Sequence, residues 1–446
     1  MAETRHAGGD RKLIAPAPVG QGELKRTFKG VATSAVLVVC SASCSSVSSR
    51  GVDANRDVVV EAARYDSPSE GAQARSDGGL AATDGGDDGP VQTSPRDSGA
   101  VDMTPGHDGP IESTDSGALT GSSNPSCAAM GSGLTTCGPG GSGHESCCMS
   151  LEVIGGTFYR SYDGVKYTDK SNPATVSTFR LDKYEITVGR FRQFVAAVIG
   201  GWRPTAGAGK HTHLNSGKGL NATGGGYEAG WDANWNAFFL ASASAWNTNL
   251  AMAHGTWTPS PGTNENKPIS NETWYDAYAF CIWDGGFLPS EAEWNYAAAG
   301  GGGPSGQRVY PWSTPSTNTT IDCSYANYAP QQSGTATTAC TTPSCVGGCP
   351  ADAPSNVGTE SPKGDSAYGQ TDLSGNIEEW TLDHAGAYVN PCLDCANLSA
   401  ASPREWRGGG WSPDSTRDGN LVISYRFNFA SSSRFNDMGA RCARVP

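Results

Sequence analysis

The alternation of apolar and polar residues predicts regular elements only from residue 151 onward. LEVIGGTFYR (151–160) and TVSTFRLDKYEIT (175–187) alternate over short runs bounded by glycine and Asn-Pro. This pattern predicts two β-strands. The folded part of the chain is therefore expected to begin with strands, after a long segment that has no such periodicity.

Three later segments predict helices. The first begins at Thr187, and its apolar residues fall at helical spacing: Phe191, Phe194, Val195 and Val198. The second lies in NETWYDAYAFCIWDGG (271–286). The third, LPSEAEWNYAAAGG (288–301), starts with a capping box, because the side chains of Ser290 and Glu293 can each bind a backbone N–H of the first turn. All three are expected to pack against the strands.

The first 44 residues have the order of a bacterial export signal. Basic LKRTFKG (24–30) precedes the apolar run VATSAVLVV (31–39), which is too short to span a bilayer of about 30 Å. Ser41-Ala42-Ser43 before Cys44 resembles a lipobox, so Cys44 is the predicted lipidation site; cleavage by an ordinary signal peptidase is the alternative. We expect a protein anchored by lipid in the cell envelope, in the periplasm or on the outer-membrane surface.

Residues 45–126 are rich in Gly, Ser, Asp and Pro and poor in aromatic residues. Such a segment buries too little apolar surface to offset the entropy of ordering, which predicts a disordered tether. Fourteen acidic residues and four arginines between 51 and 126 account for most of the formal net charge of −13. The remainder is close to neutral, so nucleic acid is not an expected partner.

The cysteines suit an oxidising compartment. Cys40 and Cys44 belong to the signal, and the other twelve of the fourteen form an even number. Residues 127–150 are predicted to form a small disulfide knot, with zinc binding as the alternative; its cysteines are Cys127, Cys137, Cys147 and Cys148. Cys392 and Cys395 are interpreted as a structural bridge, with a redox pair as the alternative.

Several motifs then recur in an order that resembles one family. They are GGTFYR, DKYEITVGRF, the segment 271–301, YPW, DLSGNIEEW, RGGGWS and SYRFNF followed by DMGARCAR. From about residue 152 to 444 the chain is similar to the formylglycine-generating enzymes, or sulfatase-modifying factors. The resemblance implies an α+β, irregular, loop-rich domain over 151–446, a variant of the C-type lectin fold stabilised by disulfides and calcium. It also implies a disulfide between Cys281 and Cys442.

Calcium is the cofactor that the resemblance implies. The turn 372–380 matches the ligand positions of the family, which here are Asp372, Gly375, Ile377 and Glu379. Two carboxylates and two backbone carbonyls are the hard oxygen ligands that calcium prefers. A turn that only starts a helix is the alternative. A second, weaker site would use Asn327 and Tyr328, with Asp352 as a candidate acidic partner.

Copper is not expected. The catalytic members of the family hold Cu(I) with two thiolates, and the corresponding positions here are Pro413 and Asp418. No cysteine lies between Cys395 and Cys442, and a single carboxylate is a hard ligand that does not suit Cu(I). Relocated ligands at Cys392 and Cys395 are the alternative. The related iron-dependent sulfoxide synthases use three histidines, whereas His211 and His213 form the one close pair here, in a loop.

These observations favour a calcium-stabilised binding or scaffold module without a catalytic residue. Its ligand surface, for a peptide or a glycan, is predicted at four residues of a Trp-rich segment, with a role in the core as the alternative: Trp231, Trp235, Trp246 and Trp257. We expect a monomer.

Two other functions stay open. The first is an oxygen-dependent oxidase, formylglycine-generating or related, that acts on a peptide cysteine with relocated metal ligands. In such an enzyme Arg407, Arg426 and Arg434 would hold the substrate, or they would be structural ion-pair partners. The second is a structural lipoprotein without a ligand.

Overall fold

A computed structural model of the chain describes residues 124–301, 303, 306–328, 353–399, 403–412 and 421–446. The export signal, Cys44 and the tether as far as residue 123 lie outside the described residues, as do Asp352, Pro413 and Asp418. Among the helices of the described residues, none has the length and apolar character that a membrane span requires.

The described residues form an α+β structure with short elements and long loops. The helices are α1 (Val188–Ile199), α2 (Ala243–Leu250), α3 (Trp274–Trp283) and α4 (Glu291–Ala299). The strands are β1 (Ser150–Val153), β2 (Gly156–Tyr159), β3 (Pro173–Val176), β4 (Phe179–Asp182), β5 (Asn221–Ala222), β6 (Glu378–His384), β7 (Cys392–Leu393), β8 (Cys395–Ala396), β9 (Arg404–Arg407), β10 (Phe427–Phe429), β11 (Met438–Gly439) and β12 (Ala443–Arg444).

The helices begin where their capping residues stand. Thr187 accepts the backbone N–H of Arg190 at the start of α1. The Ser290–Glu293 capping box at α4 is confirmed, and α3 has a second one. These side chains satisfy backbone donors that a helix leaves unpaired at its first turn. All three predicted helices are therefore confirmed, whereas α2, inside the Trp-rich segment, was not predicted.

Each of the two predicted strands is in fact a pair of strands. The first is divided into β1 and β2 between Val153 and Gly156, and the second into β3 and β4 between Val176 and Phe179. β1 and β4 form one sheet with β12, while β2 and β3 form another with β7. The chain changes sheets at both breaks, which alternation within one segment does not reveal.

A four-stranded sheet in the order β10-β9-β6-β11 faces the main hydrophobic core. β9 lies antiparallel to both neighbours, and β11 runs parallel to β6. Trp406 of β9 lies opposite Trp380 of β6 and Phe427 of β10, so aromatic side chains share one face of the sheet. β10 is an edge strand of three residues.

The Trp-rich segment contributes to this core rather than to a surface. Trp231, Trp246 and Trp257 are buried, and Trp235 is half-buried. Trp246 packs edge-on against Phe191 and Phe194 of α1, with ring centroids 5.9 and 6.4 Å apart. The prediction that the four tryptophans form a ligand surface is therefore wrong for three of them, and the alternative of a core role is confirmed.

Four disulfides fasten the loops of the described residues. Cys127–Cys148 and Cys137–Cys147 confirm the predicted knot, whose four thiols are thereby engaged with each other rather than with zinc. Cys281–Cys442 joins α3 to the segment before β12, as the resemblance implied. Cys392–Cys395 is the expected local bridge.

Candidate functional site

The turn that precedes β6, together with the start of that strand, contains the four residues expected to bind calcium. Asp372, Gly375 and Asn376 all have positive φ, which lets the chain turn back sharply before the strand begins. A Cβ atom at Gly375 would lie 2.8 Å from the carbonyl oxygen of Asn327, so only glycine fits there. The turn leads into strand β6, and the alternative of a helix start is therefore wrong.

The carboxylates of this turn have different surroundings. Asp372 accepts the backbone N–H of Gly358 at 2.7 Å and the hydroxyl of Thr371 at 2.8 Å. Glu379 accepts hydrogen bonds from Arg441, the shortest at 2.6 Å, and from the indole of Trp294 at 2.8 Å. The side-chain oxygens of Glu379 thus already have strong donors, while Asp372 has no cationic partner of its own within the described residues.

A third acid, Glu185, was not anticipated at this turn. Its fully buried carboxylate accepts the side-chain amide of Asn376 at 2.6 Å and the backbone N–H of Ile377 at 3.3 Å. Burial raises its pKa well above the ordinary value, and the nearby Asp372 and Glu379 raise it further. Three buried carboxyl groups therefore share one guanidinium, that of Arg441, so the charge of two of them can be balanced only by a proton or by a further cation.

The second expected calcium site adjoins the first. The backbone carbonyl of Asn327 accepts the N–H of Asn376 at 2.8 Å. The side-chain oxygen of Asn327 is buried and has no hydrogen-bond partner. That orphaned acceptor and the excess of carboxylates fit a hard cation. Within the described residues, however, no three His, Cys, Asp or Glu side chains converge on a common metal position.

The cysteines leave no thiolate pair for copper in the described part of the chain. Each cysteine there, including Cys323, is in a disulfide. Cys392 and Cys395, the candidates for relocated copper ligands, are joined to each other. Cu(I) coordination by thiolates requires free sulfur atoms, and these two supply none in the oxidised protein.

His211 is engaged in ion pairs on both sides. Its Nδ1 lies 3.0 Å from Glu228 and its Nε2 lies 3.0 Å from Glu293, and the imidazole is fully buried. Burial lowers the pKa of His211, but the two carboxylates outweigh it and raise the pKa to about 10. A protonated imidazole cannot bind a metal, so His211 holds its loop to α4. Both ring nitrogens of His213 are buried and lack partners.

The three arginines considered as substrate ligands are ion-pair partners instead. Arg407 and Arg426 both bind the buried Glu291, each with a shortest contact of 2.7 Å. Arg434 binds Asp276 at 2.9 Å. The alternative of a structural role is therefore the one that the geometry supports.

A different arginine, Arg404, lacks such a partner. It is 4% exposed, and its Cζ lies 3.6 Å from the ring centroid of Trp274 and 6.0 Å from that of Trp235. Among the described residues, its guanidinium donates only to the carbonyl of Leu382, at 2.6 Å, and its Nε has no partner. Sequence analysis missed Arg404, because its aromatic neighbours are more than a hundred residues away along the chain.

Comparisons with known proteins identify the family that this chain resembles. A sequence profile of the sulfatase-modifying factor enzyme 1-like domain matches residues 141–446. The chain is 26% identical over 313 residues to mouse inactive C-alpha-formylglycine-generating enzyme 2, covering 65% of this chain and 83% of that protein. It is 27% identical over 182 residues to mouse formylglycine-generating enzyme, covering 40% of this chain but only 44% of the relative.

Among solved structures, PvdO from Pseudomonas aeruginosa matches with 19% identity and a TM-score of 0.40, covering 67% of this chain and 94% of PvdO. The profile match alone extends over more than half of the chain, from the second disulfide of the knot to the last residue. The chain therefore belongs to the sulfatase-modifying factor enzyme 1-like domain family.

Proposed function

We propose that this protein is an exported, lipid-anchored member of its family that does not generate formylglycine and acts as a calcium-stabilised binding or scaffold module. One observation carries the proposal. Pro413 and Asp418 stand where the catalytic relatives have the two copper-binding cysteines, and no cysteine occurs between Cys395 and Cys442. Without a thiolate pair at these two positions, the ligand set that the resemblance implies for Cu(I) is missing there.

The disulfides support both the loss of copper chemistry and export. The pair that could replace the missing thiolates, Cys392 and Cys395, forms a disulfide. Disulfides persist in oxidising compartments, which agrees with the basic, apolar and small-residue order before Cys44. Lipid attached at Cys44 would hold the domain at a membrane while the acidic tether separates the two.

Calcium would act as a structural ion in this proposal. Asp372 and Glu379 would supply carboxylates, and Gly375 and Ile377 backbone carbonyls, with Asn327 and Tyr328 at the second site. The ion would offset the excess negative charge around Glu185 and give the buried side-chain oxygen of Asn327 a partner.

Elemental analysis of the purified full-length chain, kept oxidised, tests the proposal. We expect calcium at one or two ions per chain and no stoichiometric copper or iron. The double variant Pro413→Cys/Asp418→Cys is the matched positive control, because it restores a thiolate pair and should retain Cu(I) under mild reduction that opens the new pair and leaves the Cys281–Cys442 and Cys392–Cys395 disulfides intact in both proteins. Stoichiometric copper in the wild-type protein would show that the metal ligands have moved and that the proposed loss of oxidase chemistry is wrong.

A further inference from the structure

The buried arginines of the described residues fall into two groups. Most have a carboxylate partner: Arg190, Arg407, Arg441 and Arg444. Arg160 and Arg404 are each 4% exposed, and no carboxylate of the described residues lies within 4.0 Å of either. A buried charge without a partner is costly, so these two require a separate explanation.

The buried charge of Arg160 is stabilised by hydrogen bonds to backbone and amide oxygens. Its guanidinium donates to the carbonyl of Val389 at 2.7 Å, to the side chain of Asn390 at 2.6 Å, and over longer distances to the carbonyls of Asn172 and Pro173. Arg404 donates to Leu382 alone. Of the buried arginines described, Arg404 thus has the largest unmet capacity for an acceptor, since a guanidinium carries five N–H donors.

Glu272 is another buried group without hydrogen-bond partners, but it can lose its charge by protonation, whereas Arg404 cannot do so at neutral pH. Both of its carboxyl oxygens lack partners, and burial, with Asp276 nearby, raises its pKa well above the ordinary value. A carboxyl group can therefore lose its charge by taking up a proton. Burial also lowers the pKa of Arg404, to about 9, but that value still leaves the guanidinium charged at neutral pH. Asp383 interacts favourably with this charge, but it forms no ion pair with Arg404 within the described residues, so the guanidinium can still take up an anion.

Aromatic rings form the surroundings of this charge. Trp274 beneath the guanidinium is fully buried, whereas Trp235 and Tyr275 are half-buried and Phe238 is 48% exposed. The rings of Phe238 and Tyr275 stack at 4.2 Å, and Trp235 lies 5.8 Å from Tyr275. We call Trp235, Phe238 and Tyr275 the aromatic platform. Trp235 and Phe238 belong to the Trp-rich segment and Tyr275 belongs to α3. The platform is partly exposed and lies beside the unpaired guanidinium of Arg404.

We propose that Arg404 and the aromatic platform bind an acidic saccharide, with the carboxylate of a uronic acid on the guanidinium and the apolar face of the sugar ring on the platform. The proposal rests on the proposed function and names the ligand class of the binding module. A planar guanidinium matches a carboxylate with two parallel hydrogen bonds, and amphipathic rings offer flat apolar contact.

The chemistry of the neighbouring surface favours a saccharide over an acidic peptide. An extended peptide would add to the free edge of the sheet, but β10 at that edge has only three residues and offers few backbone hydrogen bonds. In the platform, Phe238 and Tyr275 stack on each other at 14°, and Trp235 is inclined at 56° to Tyr275. The exposed part of Phe238 and the half-buried Trp235 therefore offer a short apolar surface, which suits a single sugar ring better than an extended backbone.

Titration of the full-length chain with oligogalacturonate, followed by tryptophan fluorescence and calorimetry, tests the inference. A neutral galactose oligomer of equal length and a glutamate-rich peptide are the comparison probes. We expect oligogalacturonate to bind at least 10-fold more tightly than either. Arg404→Met should weaken its binding at least 10-fold, and Trp235→Ala should also weaken it.

Arg203→Met is the matched control. Arg203 also lies over an aromatic ring, 5.2 Å from the centroid of Phe239, and donates to backbone carbonyls, but it is half-exposed and its ring partner is not one of the three rings of the platform. Its removal should leave binding unchanged. Thermal unfolding of each variant, compared with that of the wild type, identifies any loss of binding that comes from misfolding.

Three results would overturn the inference: equal binding of the neutral oligomer, wild-type affinity in Arg404→Met, or binding of the peptide alone. The metal content of the same preparation tests the proposed function separately. If no probe binds and copper is absent, the ligand class is wrong while the loss of oxidase chemistry stands. If stoichiometric copper is present, the proposed function itself fails.

Discussion

Two buried clusters of charge in this protein differ in whether their charges are balanced. Where the knot, α1 and the end of the chain meet, Arg190 and Arg444 each bind both Asp182 and Asp284, at 2.7 to 3.2 Å. At the aromatic platform, Arg404 has two rings and one carbonyl. The two arginines and two aspartates of the first cluster have no net charge, whereas Arg404 in the second cluster retains a positive charge. The paired charges of the first cluster stabilise the fold, and the unpaired charge of Arg404 is the basis for the proposed ligand site.

The balanced cluster joins parts of the chain that are far apart in sequence. Asp182 ends β4, Arg190 is on α1, Asp284 follows α3 and Arg444 is on β12. The backbone N–H of Ser126, in the knot, also donates to Asp284 at 3.0 Å. The Cys281–Cys442 disulfide connects α3 and the last strand within a few residues of these charges. This region therefore fixes the knot and both ends of the folded chain to one another.

The largest expected effect on stability comes from removing the Cys281–Cys442 disulfide, which lies beside the balanced cluster. Cys281→Ser/Cys442→Ser removes a bridge with a sequence separation of 161, and chain entropy predicts a loss of about 5 kcal/mol in the free energy of unfolding. Cys392→Ser/Cys395→Ser is the control, because its separation of 3 predicts a loss of about 2 kcal/mol. Urea denaturation measures both. Equal losses would contradict the role given to the long bridge.

The second-largest loss of stability should come from removing one carboxylate of the first cluster. Asp284→Leu leaves Arg190 and Arg444 to share one carboxylate, and an incompletely paired buried charge typically costs about 3 to 5 kcal/mol. Lys183→Met breaks the more exposed ion pair with Glu145, at 2.7 Å, and should cost no more than about 1 kcal/mol. A similar small loss for Asp284→Leu would mean that the buried cluster contributes no more than a surface pair.

Arg404→Met should have the opposite sign from Asp284→Leu. Replacing an unpaired buried charge by an apolar side chain of similar length removes a desolvation cost, so stability in the absence of ligand should stay the same or rise by about 1 kcal/mol. Urea denaturation of the ligand-free variant checks this. A loss greater than about 2 kcal/mol would show that the stacking on Trp274 makes Arg404 a structural residue.

The smallest effect concerns pH. Burial, together with the nearby Glu291, raises the pKa of Glu405 to about 8, and one of its oxygens lacks a partner. The folded state keeps a proton that the unfolded chain releases near pH 4, so this group contributes its stability below about pH 4 and loses it as pH rises toward 8. Glu405→Gln should reduce the loss of stability between pH 5 and pH 8 by at least about 1 kcal/mol. Thermal unfolding across that range measures it, and an unchanged pH dependence would contradict the assignment.

Local signals in the sequence predicted much of the fold. The capping box at Ser290 and the apolar spacing after Thr187 act within one or two turns, and both appear as expected. The knot followed from cysteines in a segment without a core. The pairing of Cys281 with Cys442 came from the family resemblance, since no local pattern connects residues so far apart.

The sequence could not reveal features that depend on distant packing. The burial of Trp246 depends on contacts with α1, about fifty residues earlier, and composition alone suggested a surface. In the sequence, Arg404 is an ordinary basic residue before Glu405. Its lack of a carboxylate partner is seen only in the folded chain, where β9 packs against Trp274. Glu185 likewise approaches the turn at Asn376 only in the folded chain.

The central claim is that this member of the family has lost copper-dependent oxidation. The most direct test loads the full-length chain, with its disulfides intact, with Cu(I), adds a cysteine-containing peptide in air, and follows conversion of the cysteine to formylglycine by mass spectrometry. We predict no conversion and no tightly bound copper, since Pro413 and Asp418 offer no thiolate. Turnover of the peptide that depends on copper and oxygen would contradict this account.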